Sequence, residues 1–276
     1  MKAIEEIIRD KYAQLTPQER KLADFILDRP SDLAIFNSAE LARLCGVSKA
    51  TVSRMFKHLG FSSFREGRVE SRRQRQQGVP VVEGKPSKRT FAPHFEREIN
   101  NLKILQASLS EASVSEMAEA LAAARRIKVV GFRNSYPIAL HIRQQLIQVR
   151  TDVDLAPLPG QTLAEELEGM GADDIVIFIA LRRRPKLFDK ALNHMIQRKI
   201  PVLLITDASL RKVADRVKWW VECPLESVSG FDGYSAAMSV STLICNTLLH
   251  QMAVTGQSRI LSISDAYREM NELDFT

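Results

Sequence analysis

Three short, largely apolar runs, Lys128 to Phe132, Asp174 to Ile179 and Pro201 to Thr206, show no polar alternation. They are separated by stretches with helical spacing at about Tyr136 to Val149, Leu163 to Glu168 and Lys186 to Arg198. A strand that is apolar on both faces has nothing to offer water, so it belongs in a sheet covered on both sides. Helices between successive strands provide the crossovers that parallel pairing requires. The alternation therefore predicts an α/β domain, an αβα sandwich on a parallel sheet, with weaker strands at Val153 to Leu155 and Trp219 to Glu222. A helix from His94 to about Leu109 and another opened by a Ser113 to Glu116 capping box precede the sheet. A long apolar helix near Gly233 to Val254 and a polar helix after Ser258 follow it.

Before residue 90 the pattern is helical without a strand. Thr16-Pro17-Gln18-Glu19 is a capping box with proline at the first helical position, followed by Leu22, Phe25 and Ile26, and Pro30 closes the helix. Ser38 is expected to cap a helix carrying Leu41, Ala42 and Leu44; Gly46 breaks it, and Ser48 caps the next, which runs to Leu59 and stops at Gly60. Two short helices around a tight turn, with Leu41, Val47, Val52 and Met55 or Phe56 inside, resemble a DNA-binding helix-turn-helix. Ser48, Lys49, Ala50, Thr51, Ser53, Arg54 and Lys57 are left outside that small core as candidates for base and phosphate contacts. An unrelated helical hairpin would fit the same small residues. Residues 78–93 concentrate Gly, Pro and Lys and read as a linker between a 1–77 domain and a 94–276 domain.

Charge separates these readings. Residues 1–90 hold 18 Lys and Arg against 11 Asp and Glu, an excess of +7, whereas the remainder is −1. Residues 43–89 alone carry 12 basic and 3 acidic side chains. Such an excess attracts a polyanion and makes its binding salt-dependent, which favours operator DNA over a neutral hairpin. The longest apolar run is the seven residues Ile175 to Leu181, far short of the roughly 20 that cross a bilayer, so no membrane span is expected. The amino-terminal stretch has acidic residues in a helical pattern and no secretory apolar segment, so a cytoplasmic protein is expected. Cys45, Cys223 and Cys245 show neither zinc-site nor disulfide spacing and read as small buried side chains.

The second half carries its own candidate site. The first strand runs into Gly131-Phe132-Arg133-Asn134-Ser135 at a helix start, where backbone N–H groups, a hydroxyl and Arg133 suit an anion. A serine cap on a structural helix is the ordinary alternative. The central strand ends in Arg182-Arg183-Arg184-Pro185, again just before a helix. If both loops face one crevice, Gly131, Arg133, Asn134, Ser135, Arg182, Arg183 and Arg184 form a site for an anionic small molecule.

The sequences TPQERKLADFIL and SAELARLCGVSKATVSRMFKHLGF, the order strand-GFRNS-helix, and DDIVIFIA, IPVLLITD and VADRV together resemble the RpiR/MurR-type bacterial transcription regulators over residues 1–270. The resemblance implies an amino-terminal helix-turn-helix and a carboxy-terminal SIS (sugar isomerase) domain. It implies a homodimer or homotetramer that binds operator DNA and senses a small metabolite, commonly a phosphosugar. Two departures stand out. Family loops read Gly-x-Gly-x-Ser, where Arg133 takes the place of the second glycine, and Ser-x-Ser-Gly-x-Thr, where Ala180, Arg182, Arg183 and Pro185 stand instead. Hydroxyls that would cradle a sugar phosphate are replaced by arginine forks suited to a carboxylate or a phosphate. A domain that has lost its ligand and serves only assembly is the other outcome of these replacements.

No catalysis is expected. His58, His94, His141, His194 and His250 have no metal-ligand spacing, no Cys-His arrangement presents itself, and no phosphate-binding loop carries a lysine. No cofactor or metal is called for. The alternatives are a phosphosugar isomerase with an accessory helical domain, in which His141 would be the base, and an interaction scaffold without salt-sensitive DNA binding.

Overall fold

The computed structural model describes residues 4–28, 33, 36–76, 91–228 and 230–273. The chain divides into two compact units, residues 1–93 with 227–231, and residues 94–226 with 232–276.

The first unit is helical: α1 (Ile4–Lys11), α2 (Pro17–Asp28), α3 (Ser38–Leu44), α4 (Lys49–His58) and α5 (Phe64–Gln76). The Thr16 capping box forms as the sequence indicates: the Thr16 amide and hydroxyl donate to Glu19 at 3.0 and 2.8 Å, and the Glu19 amide returns a bond to Thr16 Oγ1. The cap of α3 is one residue earlier than expected. Asn37, not Ser38, accepts from the amides of Ala39 and Glu40, while Glu40 accepts from the Asn37 amide. An asparagine carbonyl serves that position as well as a hydroxyl. Ile4, Ile8, Leu22, Ile26, Leu41, Val52, Met55 and Phe56 are fully buried together. Pro30 lies outside the described residues, as does most of the expected linker; residues 91–93 instead form the first turn of a helix. Ser71 to Gln76 continues α5.

The second unit opens with α6 (Phe91–Ser108) and α7 (Glu111–Ala123). Ser110, with Ser113 as its partner, caps α7, so the helix starts earlier than the Ser113 to Glu116 pattern suggested. There follow β1 (Ile127–Gly131), α8 (Ser135–Val149), β2 (Val153–Ala156), α9 (Leu163–Leu167), β3 (Ile175–Ala180), α10 (Phe188–Gln197), β4 (Val202–Thr206), a 3-10 segment (Ala208–Arg216) and β5 (Trp219–Glu222). Helices α11 (Ser235–Gln251) and α12 (Ala253–Met270) close the chain. All strands pair in parallel, in the order β2-β1-β3-β4-β5. Every residue of β1, β3 and β4 is buried. Ile127, Val129, Ile177, Ile179, Leu203 and Ile205 face α7, α8 and α11, whereas Val130, Val176, Phe178, Val202 and Leu204 face α9, α10 and the 3-10 segment. At about 1.5–3 kcal/mol for each large apolar side chain, this two-sided burial dominates the stability of the sheet. Lys128 is the polar exception in β1; its ammonium is held by Asp154 and Glu166 at 3.2 and 2.9 Å. No helix among the described residues is long and apolar enough to cross a membrane.

Strand order reverses between β1 and β3, and in open α/β sheets this is where the carboxyl ends leave a crevice.

Candidate functional site

In the helical unit, α3, a four-residue turn and α4 form the two-helix element that the sequence indicates. Its turn is set by Gly46, at φ 62°: the Val47 amide returns to the Ala42 carbonyl at 2.9 Å and the Gly46 amide to Arg43. The same closure ends α4, where Phe61 bonds back to Phe56 and Gly60 to Lys57. Both are Schellman motifs, and they fix where α4 begins and stops. Ser48 caps α4 by accepting from the Thr51 amide at 3.0 Å. Lys49, Ala50, Ser53, Arg54 and Lys57 are exposed. Lys49, Arg54 and Lys57 make no ion pair among the described residues, so their charge faces outward uncommitted. Thr51 corrects the expectation: it is buried, with its hydroxyl on Ser48 Oγ at 2.9 Å, and it belongs to the cap. Glu19 ties this helix to α2 through His58 at 2.9 Å. Burial pushes the Glu19 carboxyl up, but its bonds to Thr16 and the neighbouring His58 outweigh that and hold it below the ordinary glutamate value.

In the α/β unit, the two predicted loops do come together. β1 and β3 are neighbours, and the Leu181 amide donates to Ser135 Oγ at 3.2 Å, joining one strand end to the other. Gly131 has no room for a side chain: a Cβ there would lie 2.6 Å from the Ser135 carbonyl oxygen and 2.7 Å from Ala139 Cβ. It lets α8 approach the strand. The anticipated free amides are not free, because Ser135 N–H bonds to Phe132 O and Tyr136 N–H to Arg133 O, both at 3.0 Å. Asn134 donates to the Tyr234 phenol oxygen at 3.0 Å.

The four arginines divide. Arg184 donates to Asp207 at 2.8 Å, to Ser209 at 2.6 Å and to the Ala180 carbonyl, and it lies over the Phe188 ring; it ties β3 to β4 and is not offered to a ligand. Arg182 reaches Asp232 at 2.9 Å and Glu226 at 3.0 Å. The side chains of Arg133 and Arg183 make no hydrogen bond or ion pair among the described residues, and both residues hold positive φ, 54° and 65°. Asp232, Glu226 and Tyr234 are site residues that sequence reasoning missed. They lie 44 to 100 residues from their partners, in a segment with no periodicity. Burial pushes the Asp232 carboxyl and the Tyr234 phenol above their ordinary values. The cavity lined by Phe132, Ser135, Phe178, Arg184 and Phe188 has a volume of only about 10 Å³, room for about one water.

The isomerase reading gains nothing here. His141 is half-buried, with Thr242 Oγ1 3.5 Å away as its described partner, and no carboxylate among the described residues bonds to it. Among the described residues no group of His, Cys, Asp and Glu has metal-site geometry.

Residues 2–77 match the rpiR-family helix-turn-helix domain, and residues 120–254 match the SIS domain. An uncharacterised HTH-type transcriptional regulator of Providencia stuartii is 25% identical over 185 residues, which are 65% of this chain and 64% of the relative. The chain thus spans just under two thirds of that relative's length. The sugar isomerase domain of an RpiR transcription factor from Sphaerobacter thermophilus superposes with a TM-score of 0.58 at 18% identity, over 63% of this chain and 97% of that one. The NanR protein of Vibrio vulnificus, complexed with ManNAc-6P, superposes with a TM-score of 0.59 at 15% identity, over 97% and 98% of the two chains. At such identities the likeness speaks for the fold.

Proposed function

Because the chain belongs to the RpiR-type family, with its rpiR helix-turn-helix and SIS domains, we propose that it is a DNA-binding transcriptional regulator of a metabolic operon. Residues 1–77 bind the operator, and residues 94–276 bind an anionic small metabolite, a phosphosugar or a carboxylate, and assemble a homodimer or homotetramer. The work is done in the cytoplasm, and no catalytic step is assigned to the chain. The observation that carries the reading is the outer face of α4, where Lys49, Ser53, Arg54 and Lys57 are exposed and have no packing role. On this reading its amino-terminal residues meet base edges, and Arg54 and Lys57 meet phosphates. The structural likeness to the NanR protein of Vibrio vulnificus, complexed with ManNAc-6P, supports the choice of effector class.

Operator binding at graded salt tests this. Arg54→Ala and Lys57→Ala each lower affinity without unfolding the protein, and each lost phosphate contact reduces the salt slope by about one unit. Unchanged affinity and slope in both variants would sink the assignment.

A further inference from the structure

The charges at the ends of β1 and β3 are already balanced in part. Arg182 uses Nη1 on Asp232 and Nη2 on Glu226, one N–H to each carboxylate, so neither carboxylate holds it as a fork. Arg183 follows immediately, half-buried and without a hydrogen bond or ion pair among the described residues. Asp232 and Glu226 lie within the segment between β5 and α11, and Tyr234 fastens its end to Asn134 in the β1 loop. Behind it, Asn101 of α6 donates to the Glu226 carbonyl at 2.7 Å, and Glu98 accepts from the Ser235 hydroxyl.

An anion that simply added to this cluster would meet two carboxylates at close range. One that replaced them would span both Nη atoms as a bidentate fork, which is the stronger geometry for guanidinium with phosphate or carboxylate. The displaced Glu226 has somewhere to go, since 42% of its side chain is already exposed. Burial also disfavours the charged form of Asp232, against the pull of the neighbouring Arg182.

We propose that Asp232 and Glu226 are an internal counter-anion, and that the effector's anionic group takes Arg182 by exchanging with them, with Arg183 as its second contact. This rests on reading the strand-end crevice as the effector site. The exchange frees the segment between β5 and α11 at two of its side-chain ties, Glu226 and Asp232, so occupancy of the site changes that segment. Arg182 is then a latch whose partner switches, Arg183 is a standing anion contact, and Arg184 takes no part.

Calorimetric titration of the full chain with inorganic phosphate tests the exchange, together with hydrogen exchange of amides 223–235. The variant E226Q/D232N binds phosphate roughly tenfold tighter than wild type, the gain expected if the latched form holds about nine-tenths of the molecules. Phosphate speeds amide exchange in the 223–235 segment of wild type. R183A weakens binding in both backgrounds. If the double variant folds poorly, E226Q alone shows a smaller gain in the same direction. Equal affinity in wild type and the carboxylate variants, or slower amide exchange on adding phosphate, overturns the exchange but leaves the site. Absence of phosphate binding in all of these proteins overturns the exchange and the site together.

Discussion

Arg133 and Arg183 occupy the backbone conformation that glycine adopts most cheaply, φ 54° and 65°, one at each strand end. A side chain at such a position costs about 1–2 kcal/mol, and in the family pattern these are glycine positions. The chain keeps the glycine geometry and adds a cation, a trade that makes sense where the cation is used. Arg133→Gly should therefore stabilise the folded state by about 0.5–1 kcal/mol, after glycine's larger unfolded-state entropy is subtracted, while phosphate binding weakens. Denaturant unfolding and titration of the same variant check both halves. Gly131→Ala should do the opposite. A Cβ within 2.6 Å of the Ser135 carbonyl forces α8 away from β1, and such overpacking costs about 1–3 kcal/mol. A melting temperature equal to wild type would contradict the close approach. At this scale the sequence located the two loops but not their partners. Arg182 and Arg184 read as exposed forks because Asp207, Glu226 and Asp232 sit 23 to 50 residues downstream, and no local pattern brings them back.

Among elements, the strands were legible because burial on both faces leaves only apolar residues at successive positions, as in Ile175–Ala180. Helix starts were harder to read. Neighbouring Asn37 and Ser38, or Ser110 and Ser113, are all competent caps, and which one is used depends on where the packed face of the helix begins. Thr51 was misassigned for a related reason: a polar residue at the first turn of α4 looks available, yet its hydroxyl completes the Ser48 cap. The link between α2 and α4 has a pH signature. Glu19 holds a folded-state value below the ordinary glutamate range, so its contribution to stability is present at neutral pH and is lost as the pH falls from that range through the lower folded-state value. Hydrogen exchange of the α2 and α4 amides should accelerate on acidification in wild type. Glu19→Gln should be faster at neutral pH and should show less further acceleration. Equal pH dependence in the two proteins would rule out Glu19 as the source.

For the whole molecule, the question is how weak single contacts add up to specific control. A lone helix-turn-helix buries too little surface for tight, selective operator binding, and symmetric half-sites about 34–36 Å apart are the usual remedy. The α/β unit has a surface suited to pairing: a groove of about 540 Å³ between α6, α7 and α11, lined by Leu102, Leu105, Leu109, Val114, Val240 and Leu243. Leu102 and Leu243 are exposed, as are Phe95 and Ile99 further along α6. The helices read from the sequence at His94 and near Gly233 form this face, and on the proposed assembly its occupant is a second copy of this chain, which would suit a paired operator. Leu243→Lys places a charge in that groove. Because Leu243 is already 45% exposed, the folded protomer should lose little stability. On the proposed assembly, sedimentation at micromolar concentration should then shift from a dimer or larger particle to monomer, and operator affinity should fall because one particle would no longer read two half-sites. A variant that still sediments as the wild type and binds its operator equally well would place the subunit contact on another face.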